Sequence, residues 1–288
     1  MTNMIGWTPS QKQRLRELNA LPKFQEKLFS SERERDRAFP AVEQPLCMKG
    51  LRRLQKIRES RSRPKICRLE SHLVGALIRS GFVQVVTPLI IARGSLEKMS
   101  IGEDHELAKQ VFWLDEDRCL RPMLAPNLYY LLRELDSVWE KPIRIFEVGP
   151  CFRRDSAGRH HLNEFTMLNL VELGLPDETK SRRFEELAAL VMKAAGIGRY
   201  EFVRHPSEVY GETIDIHSAI ELASGVVGPH PLDERWGITD SWVGLGLGLE
   251  RLVMVREKYQ NIQRAGRALV YLDGTRLNIY NRRPVTRP

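Results

Sequence analysis

Cysteine is scarce in this chain of 288 residues, and the four present, Cys47, Cys67, Cys119 and Cys151, form no CxxC pair. With that spacing neither a zinc site nor a disulfide framework is suggested. No uninterrupted apolar run approaches the ~20 residues that span a bilayer. The first residues, Met1 to Trp7, lack a basic region followed by an apolar one, so no secretory leader is read there and a cytoplasmic protein is expected. The glycine-rich stretch Trp242 to Met254 lacks the Lys-Ser/Thr of a P-loop and is not a strand, GxGxxG and helix unit followed by an acidic residue. No Ser-His-Asp or Cys-His set points to nucleophilic catalysis.

What is present is ordinary in bulk and unusual in places. Hydrophobic residues make up 42% and charged residues 28%, values that permit a sizeable folded core. A net charge of +8 and a pI near 9.4 favour an anionic partner. Nucleic acid ranks before membrane, because the basic residues are interspersed with acidic ones and do not back an apolar helix face.

Residues 7 to about 64 read as charged helix, opening at Thr8-Pro9-Ser10, where a hydroxyl can cap and proline suits the first turn. A basic stretch follows, Lys49, Arg52, Arg53, Lys56, Arg58, Arg61, Arg63 and Lys65, which is either a solvated helix face or a contact for an RNA backbone. The division expected is an N-terminal helical, basic segment over 1–66, a larger folded domain over 67–280 and a disordered basic tail over 281–288.

From Arg68, apolar residues Leu69, Leu73, Ala76 and Leu77 fall at helical spacing, Ser80-Gly81 ends the run, and Phe82 to Thr87 reads as a strand before Pro88. The stretch from there to Asp117 reads as a surface excursion. A helix then carries Leu128, Leu131, Leu132 and Leu135 on one side, with Tyr129 beside them. Beyond it come a helix over Lys180 to Ala195, a strand over Tyr200 to Val203, and a loop from His205 to Gly211 containing Tyr210. One strand is expected over Ile214 to Ala223, with Asp215, His217, Ala219 and Glu221 on one face, broken by Gly225, Gly228, Pro229 and Pro231.

Two stretches carry chemistry. Ile145 to Glu172 reads as two strands joined by the polar loop Asp155 to His161. Alternation puts Cys151, Arg153 and Asp155 on one side of the first strand, and Phe165, Met167, Asn169 and Val171 on one side of the second. One sheet face would then bear a fixed cation, an aromatic ring and a lone amide, a set able to hold a phosphate, stack a base and grip a polar atom. In Gly244-Leu245-Gly246-Leu247-Gly248-Leu249 the period is two, so bare backbone faces one side and leucines the other. A flat ligand can lie on bare backbone, with Arg251 close behind.

In order, the helix, strand and proline of Arg68 to Pro88, the FRR-to-E hairpin of Phe152 to Glu172 and GLGLGLER from Gly244 to Arg251 resemble the three signatures of class II aminoacyl-tRNA synthetases. Within that class RPMLAPNLYYLL (121–132), IFEVGPCFRRDS (145–156), HLNEFTMLN (161–169), VYGETIDI (209–216) and VVGPHPLDERWGI (226–238) are similar to the pyrrolysyl-tRNA synthetase family. The resemblance covers roughly residues 7–278 and implies the shorter form, without a separate N-terminal tRNA-binding domain. It implies an α+β fold, an antiparallel sheet flanked by helices, with the first signature forming a homodimer interface.

The resemblance further implies a ligase that activates pyrrolysine with ATP and passes it to an amber-suppressor tRNA, tRNA(Pyl). Carried over by motif, Arg153 grips the α-phosphate and the substrate carboxylate, Phe165 stacks on adenine and Arg251 covers its other face. Asp155 stands where a glutamate is usual. Arg159 and His161 suit the outer phosphates, Leu162 joins the ATP site, and Glu221 and Ser224 hold Mg²⁺ as hard oxygen ligands. In a straight strand those two would face opposite ways, and a bend at Gly225 is expected to bring them together. The amino-acid pocket maps onto Ala125, Leu128, Tyr129, Leu132, Asn169, Val171, Tyr210, Trp242 and Gly244, with Asn169 binding the side-chain amide carbonyl. Apolar pockets discriminate by only about 1–3 kcal/mol per methylene, so tolerance of bulky lysine derivatives is expected. Two rival readings are a phenylalanine-type or other class II enzyme, and a non-catalytic RNA-binding module on the same fold.

Overall fold

The structure, a computed structural model, describes residues 4–154, 158 and 161–279. Two compact units divide the chain: Met1–Pro64 with Lys258–Pro288, and Lys65–Glu257.

The first unit opens with helices α1 (Pro9–Glu17), α2 (Pro22–Gln25) and α3 (Glu32–Ser60). Thr8 and Gln11 form a reciprocal capping box at α1, satisfying two amides that the first turn leaves without helical partners. Trp7, Leu15, Ala20 and Phe29 make the core here, and the Trp7 indole donates to the Phe24 carbonyl at 2.6 Å. Helix α3 starts at the Ser31 cap, holds Glu32 and Glu34 in its first turn, and presents Lys49, Arg52 and Lys56 to solvent. Lys65 belongs to the other unit: it is 8% exposed and lies 3.8 Å from Glu257, so the basic stretch ends before it.

The second unit runs α4 (Lys65–Arg79), β1 (Val83–Gln84), β2 (Ile90–Ala92), α5 (Arg93–Lys98), α6 (Glu106–Lys109), β3 (Phe112–Trp113), β4 (Arg118–Leu120), α7 (Ala125–Asp136), β5 (Ile143–Phe152) and β6 (Glu164–Leu173). It continues with α8 (Lys180–Ala195), β7 (Glu201–Ser207), β8 (Gly211–His217), β9 (Glu221–Val227), β10 (Trp242–Gly248) and α9 (Leu249–Arg256). The chain then returns to the first unit with the small hairpin β11 (Tyr271–Leu272) and β12 (Thr275–Arg276). Seven strands form the main sheet in the order β1-β5-β6-β10-β9-β8-β7, all antiparallel except the β1 and β5 pair. The α+β expectation holds.

Strand β10 is central and its alternation sorts the two faces. Leu245 and Leu247 are buried beneath helices, while the glycines stay half-exposed on the other side. On the leucine face Phe184 of α8 fills the space beside Gly225, and buried Glu172 accepts from Arg144 and Arg183 at 2.8 Å each, tying β5, β6 and α8 together. Helix α7 packs on the glycine face through Leu128, Tyr129 and Leu132, in one core with Val171 and Trp242.

Three expectations give way. The stretch before Asp117 is no mere excursion: β2, β4 and β3 make a small sheet, and Leu96, Met99, Ile101 and Val111 are buried. Its charges sit on the solvent side and mask a short apolar pattern. His205 to Ser207 is strand, because β7 is the sheet edge and Pro206 can occupy an edge without breaking a ladder. The single strand over Ile214 to Ala223 is two, turning at 218–220, and Gly225 lies inside β9.

Candidate active site

The register of the β5 and β6 hairpin pairs Cys151 with Phe165, Gly149 with Met167 and Glu147 with Asn169, so these side chains share a face as alternation requires. Across β10 the pairs continue: Met167 with Gly248, Asn169 with Gly246, Val171 with Gly244. A Cβ at Gly246 would stand 3.1 Å from the Asn169 amide oxygen, so that amide occupies the space the missing side chain leaves.

At the loop end, Arg153 leaves β5 with its Nε donating to the Pro122 carbonyl at 2.9 Å, its guanidinium 5.4 Å from the Phe165 ring centroid. Cation and ring are thus adjacent, as the sequence pattern requires. Nearby, the buried carboxylate of Glu250 accepts the Thr166 amide through both oxygens at 2.9 Å, fixing the strand next to Phe165. His161 is exposed and Leu162 half-buried after the loop. Asp155 and Arg159 lie outside the described residues, as do 281–288.

Glu221 and Ser224 reach one face through a β-bulge. Asp215 opposes Ser224 and Ile216 opposes Ala223, but His217 opposes Glu221, so Leu222 is the extra residue. Leu222 and Ala223 are both buried beneath, and Glu221 turns to the side of Asp215 and His217. The expected bend at Gly225 is therefore corrected: the phase change lies three residues earlier. Ser224 Oγ donates to Asp215 Oδ1 at 2.5 Å, and Arg251 donates to Glu221 Oε1 at 2.9 Å. The oxygen donors fit a hard divalent cation, since both sit on one face and Asp215 orients the hydroxyl.

The other end is apolar. Leu128, Tyr129, Leu132, Val171 and Trp242 belong to one buried cluster, against which Ala125 and Tyr210 pack. Gly244 keeps this surface low, and a Cβ there would press on the Trp242 ring at 2.7 Å. Asn169 Oδ1 is buried with no hydrogen-bond partner. Such an atom loses water without replacement, at a cost of about 1–3 kcal/mol, unless a ligand supplies the partner.

A profile of the tRNA synthetases class II core domain (F) matches residues 54–273. The chain belongs to the class II aminoacyl-tRNA synthetases. The crystal structure of pyrrolysyl-tRNA synthetase from Desulfitobacterium hafniense is 56% identical, superposes with a TM-score of 0.91, and covers 96% of this synthetase and 99% of its own chain. A second pyrrolysyl-tRNA synthetase structure from that organism gives 54% identity and a TM-score of 0.89 over 95% of each chain. Among curated proteins, O-phosphoserine–tRNA(Cys) ligase of Methanospirillum hungatei is 29% identical over 145 residues, 45% of this chain and 27% of that protein. Phenylalanine–tRNA ligase alpha subunit of Prochlorococcus marinus is 25% identical over 185 residues, 59% and 52% of the two chains. The synthetase spans about a quarter of the length of the first of these curated relatives and about half of the second. Class II synthetases in general use ATP with a divalent metal.

Several residues that build the synthetase site carried no sequence signal. Buried Asp233 accepts from Tyr129 Oη and Trp242 Nε1 at 2.8 Å and from the His230 amide at 2.9 Å, locking two pocket walls to one carboxylate. An acid in a Pro- and Gly-rich stretch reads as solvated, and only the fold makes it a hub. Burial pushes the Tyr129 and Tyr210 hydroxyls well above the usual tyrosine range, with Asp233 adding to it, so both stay neutral donors. His230, 3.2 Å from Tyr129 Oη, is held below the usual histidine value by burial despite the attraction of Asp233. On the same sheet face, Arg121 and Glu147 are each 1% exposed and meet at 2.7 Å, with the Thr87 hydroxyl donating to Glu147 at 2.7 Å. A Cβ at Gly149 would fall on the Arg121 guanidinium, which explains glycine in that strand.

Proposed function

We propose that this synthetase is a pyrrolysine–tRNA(Pyl) ligase. It activates pyrrolysine, or bulky lysine derivatives, with ATP and transfers the acyl group to the 3′ end of its amber-suppressor tRNA. The observation that carries the substrate class is the Asn169 amide, on the same face as Val171 and Gly246, whose oxygen is buried and unpartnered. A long side chain ending in an apolar ring and bearing an amide would fill the apolar pocket and complete that hydrogen bond. The likeness to two pyrrolysyl-tRNA synthetase structures over nearly the whole chain supports pyrrolysine itself.

In the first step the amino-acid carboxylate attacks the α-phosphorus, a new P–O bond forms, and the bond to the β-phosphate oxygen breaks to release pyrophosphate. The carboxylate is already anionic at pH 7, so no general base is required. Arg153 would hold the α-phosphate and the carboxylate, Phe165 would stack on adenine with Arg251 over its other face, and His161, Arg159, Leu162 and Asp155 would complete the ATP site. Fixed cations beside a developing charge are the main catalytic resource of such a site. Glu221 and Ser224 would hold Mg²⁺, which neutralises phosphate charge when bound. Arg251 rests on Glu221 in this structure and would exchange that partner for nucleotide. In the second step a terminal ribose hydroxyl of the tRNA attacks the acyl carbon and AMP leaves.

We place the tRNA contact on α3, where Lys49, Arg52 and Lys56 are exposed beside a groove lined by Ala41, Gln44, Pro45 and Met48. The homodimer interface falls at the β1 edge, where Ile78, Val83, Val86, Leu89 and Ile90 are exposed and apolar. A cytoplasmic setting accords with four free cysteines, and no described helix is long and apolar enough to cross a membrane. Amino-acid-dependent ATP–pyrophosphate exchange, followed by charging of tRNA(Pyl), tests the reading. Exchange with phenylalanine but not pyrrolysine would reject it.

A further inference from the structure

We propose that His205, Asp215 and His217 form a site for a zinc-type divalent cation at the edge of the sheet, next to the Glu221 and Ser224 pair. Asp215 and His217 are alternate residues of β8 and share a face, and His205 joins them from β7, whose register pairs it with Thr213 on that same face. The donor atoms of the three side chains all lie within 4.8 Å of one another. His205 Nε2 stands 3.9 Å from Asp215 Oδ2, and the two imidazole rings are tilted by 37° with centroids 5.9 Å apart.

Two further observations point to a ligand. His217 Nε2 is buried and has no hydrogen-bond partner within the described residues, which leaves it available to a ligand. Asp215 is 8% exposed, and its Oδ1 is held by the Ser224 hydroxyl at 2.5 Å, which leaves Oδ2 turned to His205. A carboxylate fixed by an outer hydrogen bond is the usual setting of a metal ligand.

The donor set selects the ion. Two imidazoles and one carboxylate suit Zn²⁺ and its transition-metal neighbours, whereas Mg²⁺ takes oxygen donors and keeps its waters. Three protein ligands at about 2.0–2.2 Å leave a fourth position open. The His205 side chain, 48% exposed on the edge strand, is able to rotate. Metal bound at Oδ2 would draw charge from the Asp215 carboxylate and weaken the bond by which its Oδ1 orients Ser224. Occupancy would therefore slow adenylate formation, a consequence that rests on the reading of Ser224 as a Mg²⁺ ligand.

Zn²⁺ binding to the full-length protein is measured by competition with a chromophoric chelator, with and without excess Mg²⁺, and pyrrolysine-dependent exchange is followed over the same Zn²⁺ range. One Zn²⁺ per chain, undisturbed by Mg²⁺ and weakened at least about tenfold by His205→Ala and by His217→Gln, is expected. Unchanged affinity in His205→Ala, or no binding by the parent chain, overturns the site. Because His217 is partly enclosed, the exposed His205 is the decisive variant should His217→Gln misfold. Exchange should fall as Zn²⁺ fills the parent site and be insensitive in His205→Ala; saturation without slowing overturns the link to Ser224. Absence of exchange at any Zn²⁺ level would contradict the pyrrolysine reading and leave the binding result standing on its own.

Discussion

The two ends of the glycine face handle polarity in opposite ways. At the pocket end, Tyr129, Trp242 and His230 are all tied to buried Asp233, and the amide oxygen of Asn169 is left over. At the loop end, part-exposed Arg251 and Glu221 hold one another and the Ser224 hydroxyl donates to the Asp215 carboxylate. The first arrangement is rigid and shaped before any ligand arrives. The second keeps its charges hydrated and paired until phosphates and metal replace those partners. Selectivity should therefore reside at one end and rate at the other.

Beside Asn169, on the neighbouring strand β5, Glu147 forms a buried ion pair with Arg121. Glu147→Ala would leave the Arg121 charge enclosed and unmatched, and urea denaturation should show a loss of about 3–5 kcal/mol. A loss below about 1 kcal/mol would mean that water reaches Arg121.

At the loop end, Arg153→Ala should lower kcat of pyrophosphate exchange by about 10²–10³-fold, with thermal unfolding little changed. An effect confined to the KM for pyrrolysine would move Arg153 to the selectivity end and undo the contrast. At the pocket end, Asn169→Ala should cut kcat/KM for pyrrolysine by about 10–100-fold while favouring bulky substrates that lack the amide. Equal losses for both substrate types would make the amide structural.

The smallest effect concerns His230, whose folded pKa lies below its unfolded value of about 6.5. The unfolded chain takes up the proton first, so this contribution to stability is complete above that value and is lost as pH falls toward the folded pKa. His230→Gln should flatten the acid side of a stability profile below about pH 6.5. A profile identical to the parent would show that the pocket network is not as dry as its burial indicates.

The hairpin and the glycine strand were legible because a period of two states which side chains share a face, and the register bears this out from Cys151 and Phe165 through Asn169 and Gly246. The helix from Lys180 to Ala195 was likewise readable from its apolar spacing and terminal Gly196. The meander of β7, β8 and β9 was not. A bulge at Leu222 shifts the phase with no compositional mark, and the turn at 218–220 lacks both glycine and proline. Asp233 and Glu250 were illegible for another reason: burial of an acid depends on donors brought from distant segments, Tyr129 and Trp242 for one and Thr166 for the other.

The account turns on one hairpin serving nucleotide through Arg153 and amino acid through Asn169. Pyrophosphate exchange with pyrrolysine and phenylalanine, run side by side on the parent chain, Arg153→Ala and Asn169→Ala, addresses this directly. Exchange with pyrrolysine alone in the parent, a rate lowered about 10²–10³-fold in Arg153→Ala and weakened selectivity in Asn169→Ala are the predicted results. Exchange with phenylalanine alone, or an Asn169→Ala enzyme indistinguishable from the parent with pyrrolysine, would contradict it.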